Sequence, residues 1–503
     1  MGGIIEGCGS VRRGWFMPVG DESRLDLIYN RLVDIVGDEH VLTGGLDKTI
    51  YSIGRNWLAR TWVAQGLTLP EADFIVQPGS EREIAEILRL ANRERIPVIP
   101  FGGLSSGMGG TLPVYGGILL DTKRLDRVRG VSEKSLLVRV EAGVNCWKLE
   151  DELNRLGYTS GHLPASFFCS TIGGFIACRG AGRLSTKYGK MEDMILGLRV
   201  VLPTGEVLET RAVPGHATGP DLNQLFIGSE GALGVVTEAV MKIHPMPEER
   251  RFRGVIFPDL HSGLEAMRKI MREDVVPCMA RLYDEEETAT RVKDAWGVRE
   301  RGAFLVMGFD GSKRIVDVEE DIALEICDGE GGRDLGREPG EYWWEHKYDD
   351  YYPTLKSVRE YKALLGGRQA GATTDTCATY DTIEEIYHEM KRVFMEKYGE
   401  KYNGWFYGHF SHWYKNGVML YPRWHLYDPP GGRELTRLYW KVWGDLVRVA
   451  LRHGGVLNHH HGIGRILGDY MPEQYGEGFE VLKRIKRVLD PNGIMNPGVL
   501  GLN

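Results

Sequence analysis

The chain has 503 residues, 42% of them hydrophobic, and a formal net charge of −8; two or three domains with ample buried cores are expected, and a general nucleic-acid binder is not. Seven scattered cysteines, an odd number with no C-x-x-C pair, argue against a disulfide framework and for a reducing, cytoplasmic compartment. No apolar run nears the roughly 18 residues of a membrane span, and the first fifteen residues lack a signal-peptide core.

In chain order, Leu25, Ile28, Leu32 and Ile35 fall at helical spacing before Gly37, so residues 1–70 read as a helical lead-in. Residues 71–247 alternate short strands with helices and many glycines. Ser80 and Glu83 form a capping box ahead of a helix whose Ile84, Ile87, Leu88 and Ala91 share one face. A strand over Val98–Phe101 then enters a loop running from Gly102-Gly103 to Gly109-Gly110. Residues 136–140 read as a strand and residues 147–156 as a helix closed by Gly157. Pro203-Thr204-Gly205 is a hairpin turn between strands at 198–202 and 207–210. After Pro245-Met246-Pro247 the elements lengthen: a strand at 254–257, then a helix through Leu264, Met267, Ile270 and Met271. This opens a second domain, residues 248–455. Leu435, Leu438, Val442, Leu446 and Val449 form a helical stripe before Gly454-Gly455, and Phe479, Leu482, Ile485 and Leu489 form another before Asp490-Pro491-Asn492-Gly493. The class is α+β in two main domains, with residues 456–503 as a closing segment.

The glycine loop after residue 101 is too poor in side chains to pack on a core. Its glycines permit positive φ and leave backbone N–H donors uncovered, a geometry that suits a pyrophosphate. The order helix, strand, glycine loop is not that of a dinucleotide-binding Rossmann unit, nor is the spacing G-x-x-x-x-G-K, so a different nucleotide-binding fold is expected. Three more small-residue segments follow: Ser170-Thr171-Ile172-Gly173-Gly174, Arg179-Gly180-Ala181-Gly182, and Gly228 through Val236. Four such places in one domain point to a long flat ligand lying across several backbone segments, as FAD would.

Together with Pro164-x-Ser166, Tyr188-Gly189 and Gly228-Ser229-Glu230-Gly231-x-Leu233-Gly234, this order resembles the FAD domain of vanillyl-alcohol-oxidase and p-cresol-methylhydroxylase (PCMH) type flavoproteins. Gly161-His162-x-Pro164-x-Ser166, residues 217–221, residues 280–284 and Gly454 through Gly464 are similar to the alkyldihydroxyacetonephosphate synthase family within that group. The resemblance implies a PCMH-type two-part FAD-binding domain (71–247), an α/β cap and a C-terminal segment that completes the site. It implies FAD contacts at Pro100, Phe101, Gly102, Gly103, Leu104, Ser105 and Ser106; at Ala165, Ser166, Phe167, Phe168, Cys169, Ser170 and Thr171; at Gly173, Gly174, Cys178, Arg179, Gly180 and Ala181; and at Glu230, Gly231, Ala232, Leu233, Gly234, Val235 and Val236. FAD is expected to be non-covalent, because Leu104 or Ser105 stands where some relatives carry a linking His.

His459-His460-His461 reads by itself as a surface turn or an acid–base element, since three adjacent imidazoles cannot all face one point and consecutive histidines make a poor metal site without further ligands such as His409 or His412. The synthase family uses the triple-His segment in its active site. Related FAD-linked 2-hydroxyacid dehydrogenases carry a metal-binding His, His and Glu; here Tyr421 stands for the second His and His460 for the Glu, so no metal is expected. Tyr421, by its surroundings a strand aromatic for a core, is by resemblance an acid–base group. Arg281 and Arg359, otherwise ordinary ion-pair arginines, are by resemblance substrate-binding, with Arg359 near the arginine that holds a substrate phosphate. The implied activity is exchange of an acyl group for a fatty alcohol on dihydroxyacetone phosphate. The alternative is an FAD-linked dehydrogenase or oxidase of a 2-hydroxyacid or other alcohol. The implied partners are a small, phosphorylated or lipid-like substrate, a membrane surface touched peripherally and a second copy of the chain.

Overall fold

The computed structural model describes residues 22–64, 66–349 and 369–502. The capping box forms in part: Ser80 accepts the Glu83 N–H at 3.2 Å, while the Glu83 carboxylate accepts the N–H of Gly79, one residue before the cap, at 2.7 Å, fixing the start of the helix Glu81–Glu94. Its Ile84, Ile87, Leu88 and Ala91 are buried against a four-stranded sheet. That sheet runs β1 (Val41–Leu42), β2 (Phe74–Val76), β4 (Ile118–Asp121), β3 (Val98–Phe101), with the last three parallel. Ile28, Leu32 and Val36 of the helix Glu22–Val36 join the same core, so this helix packs onto the lobe.

The second lobe is an antiparallel sheet of β5 (Val128–Ser132), β6 (Leu137–Glu141), β10 (Val235–Lys242), β8 (Ile195–Val201) and β9 (Val207–Glu209), in that order. The hairpin around Pro203-Thr204-Gly205 is its β8–β9 edge. A two-stranded ribbon of β7 (Tyr158–Thr159) and β11 (His244–Pro245) leads out of it.

The cap is an antiparallel sheet of eight strands among the described residues: β12 (Glu249–Phe257), β13 (Met279–Tyr283), β14 (Ala303–Gly311), β15 (Arg333–Asp334), β16 (Ala370–Thr373), β17 (Thr376–Thr379), β18 (Gly404–Tyr414) and β19 (Gly417–Leu426). Their order is β15-β12-β14-β13-β18-β19-β16, with β17 also on β19. The helices Leu260–Arg272, Lys313–Gly329 and Ile383–Phe394 pack on it, and Gly432–Arg452 adds Trp443 against Trp424. The long β18–β19 hairpin sets His409 opposite Tyr421. A bulge between Ser411 and Trp413 puts His412 at φ 55°, a left-handed backbone that re-aims its side chain.

Residues after 455 return to the first two lobes. Met495 bridges Val98, and the Asn496 side chain donates to the carbonyls of Gly110 and Glu230 at 2.9 and 2.7 Å. The polypeptide thus passes from the first two lobes to the cap and back, and the site lies where the three meet.

Candidate active site

A cleft with about 1370 Å³ of free space, part of it open solvent, lies between the lobes, lined by residues within 100–107, 164–166, 171–181 and 229–236 and by His460 and His461. Its small residues are demanded by close approach. A Cβ on Gly103 would lie 1.9 Å from the Cys169 carbonyl oxygen, and one on Gly464, at φ 56°, would lie 1.9 Å from that of Met108. The loop at 100–106 is therefore pulled tight against the loop at 169–171, and Ser170 Oγ meets Ser105 Oγ at 2.6 Å.

Of the expected contact residues, Pro100 to Ser106, Ala165, Ser166, Thr171, Gly173, Gly174, Cys178, Gly180, Ala181, Glu230, Gly231, Gly234, Val235 and Val236 line the cleft. The others stand behind it. Phe167 stacks on Tyr348 and Phe168 is half exposed. Cys169 and Ser170 brace the glycine loop, and Arg179 pairs with Gln224 and Glu192. Ala232 and Leu233 belong to the core. Glu230, at φ 48°, is buried and accepts the N–H groups of Ile463 and Gly464 at 2.6 and 3.0 Å, which ties the glycine segment to the turn after the histidines. Burial raises its carboxyl to about 7, against the pull of those two N–H groups.

The triple-His turn is not on the surface. His459 is buried, and its Nε2 lies 2.7 Å from the Tyr414 hydroxyl, with its ring stacked on His412 at 5.1 Å. His460 and His461 turn the other way, into the cleft, and both Nδ1 atoms reach Asp375, at 3.2 and 2.6 Å. Burial, then the charge of His461, lowers His460 to about 4, and burial pushes His459 and His412 well below the ordinary imidazole value. These three rings are neutral at physiological pH.

Tyr421 sits beside this turn and not in the cleft lining. Its ring is parallel to His409 at 4.8 Å and meets His461 edge-on at 5.5 Å. Burial, then the Asp375 charge, raises the phenol above its usual value, while Arg423, Thr373 and Arg281 pull it back; the hydroxyl keeps its proton. His409 is fixed from behind by Glu287, fully buried, at 3.0 Å. Burial opposes the Glu287 charge, but His409, Arg291 and Arg423 hold it at about 2. Arg281, on β13 opposite Ser411, lies 5.4 Å from the Trp343 ring, and its buried Nε has no hydrogen-bond partner among the described residues. Arg359 lies outside the described residues.

His412, His459 and His460, and likewise Asp375, His460 and His461, bring ligand atoms within 4.8 Å of one another, a spacing a divalent ion accepts. Several of those nitrogens already have other partners: His412 Nδ1 contacts Ser185, and His459 lies between Tyr414 and His460.

Residues 246–500, half of the chain, match the model for the C-terminal domain of FAD-linked oxidases, and residues 72–211 match that for an FAD-binding domain. The chain belongs to the FAD-linked oxidase family. This family member is 30% identical to alkyldihydroxyacetonephosphate synthase of Trypanosoma brucei brucei, over 94% of its own length and 80% of that protein. It is 28% identical to the mitochondrial D-lactate dehydrogenase (cytochrome) of Arabidopsis thaliana, over 85% and 73%. A solved alkyldihydroxyacetonephosphate synthase superposes with a TM-score of 0.77 at 27% identity, over 94% of this chain and 84% of that one. Solved p-cresol methylhydroxylase gives 0.77 at 19% identity over 97% and 99%, a likeness of fold. The α+β class, the two-part FAD-binding domain and the cap implied by the sequence are thus present, and the FAD-linked oxidase is an FAD-dependent enzyme.

The cleft fits that cofactor. Four backbone segments border it, glycines stand where a Cβ has no room, and Leu104 and Glu230 hold positive φ in the loops on either side. We expect Gly103→Ala in the FAD-linked oxidase to weaken FAD binding more than tenfold, about 1.4 kcal/mol or more, since the 1.9 Å contact is with backbone and the loop must move. Flavin absorbance per chain after purification and titration of the stripped protein check this; unchanged affinity would show that the loop relaxes without touching the cofactor. Sequence reasoning passed over Asp375, Glu287 and Tyr414, whose neighbours in the chain carry no pattern, and it weighed His412 only as a spare ligand.

Proposed function

We propose that the protein exchanges the acyl group of an acyl dihydroxyacetone phosphate for a long-chain alcohol, releasing a fatty acid and leaving an ether. The observation that carries it is the protonated Tyr421 hydroxyl set among His409, His460 and His461 at the cleft edge, with Arg281 close by. Non-covalent FAD, held by the glycine-lined cleft, would supply the electrophilic and hydride-accepting chemistry of its flavin. The side chains supply the rest. The neutral imidazole of His460 takes the proton that the incoming alcohol sheds, with His461 beside it, and Tyr421 donates to oxygen in the substrate. Arg281 and Arg359 meet the phosphate, a role suited to a planar guanidinium. His459 holds the turn through Tyr414. No metal is used. The reading includes a lipid-like substrate drawn from a membrane surface and a homodimeric protein; no helix among the described residues is long and apolar enough to cross a membrane.

A second reading is supported by the resemblance to D-lactate dehydrogenase and by the ligand spacing at the histidines: oxidation of a 2-hydroxyacid, with hydride passing to the flavin. One anaerobic experiment separates the two. The oxidised protein is mixed with D-lactate, glycolate and other 2-hydroxyacids, and separately with an acyl dihydroxyacetone phosphate plus a long-chain alcohol. The exchange reading expects free fatty acid and ether product, with the hydroxyacids untouched. Bleaching of the flavin by a hydroxyacid, with keto acid formed and no ether, would overturn it.

A further inference from the structure

We propose that Asp375 is the positioning residue of this site: one carboxylate holds both His460 and His461 by a proton on Nδ1, so that each turns its Nε2 to the cleft. The consequence for turnover rests on the acid–base reading above; the tautomer assignment does not.

Asp375 lies between β16 and β17, 1% exposed, directly beneath the histidine turn. Five donors converge on it. Oδ1 accepts from Asn458 Nδ2 at 2.8 Å and from His461 Nδ1 at 2.6 Å. Oδ2 accepts the backbone N–H groups of His459 and His460, both at 3.1 Å, and has His460 Nδ1 at 3.2 Å. An ionised carboxylate only accepts, so both Nδ1 atoms must carry hydrogen. Burial opposes that negative charge, and the neighbouring His461 and His460 hold the carboxyl well below its usual range. Since His460 is neutral, its single proton is spent on Nδ1 and its Nε2 is a lone pair. The neighbouring contacts agree. His460 Nδ1 lies 3.0 Å from His459 Nδ1, which then accepts and leaves the His459 proton on Nε2 for the Tyr414 oxygen. Asn458 completes the frame by accepting the His461 N–H at 2.7 Å.

The arrangement predicts an asymmetric result for Asp375→Asn. Two backbone N–H groups and His460 face the Oδ2 position, so the amide oxygen is expected there. The amide N–H₂ must then face Asn458 Nδ2, whose own amide has to turn away, and His461 Nδ1, which can answer only as an acceptor. His461 should flip to the Nε2–H form and lose its basic nitrogen, while His460 keeps its own.

The test is long-range proton–nitrogen correlation on ¹⁵N-histidine holoenzyme at pH 6–8, with signals assigned by their loss in His460→Gln and His461→Gln. In the parent, both residues are expected to carry hydrogen on Nδ1, a measurement that needs no folded Asp375 variant. In Asp375→Asn, His461 alone should change tautomer, and kcat should fall on the order of 10²–10⁴-fold at nearly constant KM and flavin content. Asp375→Glu, which keeps the charge, should recover part of the loss. An Nε2–H form of His461 in the parent, an unchanged His461 in Asp375→Asn, or one equivalent of tightly bound divalent metal whose removal shifts these signals would overturn the proposal. A flipped His461 with undiminished turnover would support the tautomer assignment and instead remove His461 as the base of the proposed reaction.

Discussion

Tyr421→Phe is expected to lower turnover by about 10²–10⁴-fold, the range typical of a lost general acid or base, while stability and flavin content stay near those of the parent. The substitution deletes one oxygen and keeps the ring. The ring does the packing: it stacks on His409 at 4.8 Å and meets His461 at 5.5 Å. Burial, then the Asp375 charge, favours its protonated form, so at neutral pH it is a donor beside the neutral imidazoles of His409 and His460. It lies outside the cleft lining, so FAD binding should not register its loss. Steady-state turnover, flavin absorbance and a denaturant melt on the same preparations check all three claims. Normal turnover would make Tyr421 a packing residue, and a fall in stability beyond about 1 kcal/mol, the net worth of one ordinary hydrogen bond, would show that the hydroxyl is a structural strut.

What the sequence made legible follows from the range of the physics involved. A serine that must cap a helix is required by its own few neighbours, so the helix Glu81–Glu94 is readable locally; the loop after residue 101 shows as a local run of glycines, although the contact that demands Gly103, with Cys169, comes from more than sixty residues on. The helical stripe from Leu435 to Val449 is readable for the same reason, as periodicity within one element. Asp375 is different. It sits in Thr373-Thr374-Asp375-Thr376, with nothing in that run to mark it, and becomes a hub only because β16 and β17 both pair with β19 and bring it under a turn more than eighty residues on. The triple-His segment was half legible. One point of convergence for three adjacent imidazoles is sterically excluded, and the structure accordingly sends His459 toward Tyr414 and the other two toward one carboxylate. Arg281, which by composition alone is an ordinary ion-pair residue, is recognisable only once the β13–β18 register puts it across from Ser411 and near His409.

Asp310→Ala is expected to destabilise the protein by about 3 kcal/mol, the low end of the cost of breaking a buried charge cluster from one side. Asp310 lies on β14, fully buried, at the seam where the cap meets the second FAD lobe. From the lobe, the Tyr188 hydroxyl donates to it at 2.9 Å and Lys187 Nζ approaches to 3.1 Å; from the cap, Arg250 donates at 2.8 Å. Burial and the Asp310 charge both raise the Tyr188 phenol, which keeps its proton and remains a donor. Removing the carboxylate leaves two cations and a hydroxyl facing one another, with only the Asp310 backbone carbonyl still accepting, from Lys187. The loss should sit at the low end of the range because the Lys187 and Arg250 side chains are 27% and 21% exposed and recover some hydration. Asp310→Asn, which keeps an acceptor for Tyr188 and loses only the charge, should cost less than Asp310→Ala. Because the carboxylate is buried, the difference between parent and variant should change little between low and moderate salt. Urea melts of the holoenzyme, followed by tryptophan and flavin fluorescence, measure it. The two probes should part in Asp310→Ala, the flavin signal failing first, because this cluster ties the cap to the lobe at whose cleft FAD is held. Coincident transitions shifted by less than about 0.5 kcal/mol, the scatter of ordinary surface substitutions, would show that the seam is held by its apolar contacts and that the charges there are along for the ride.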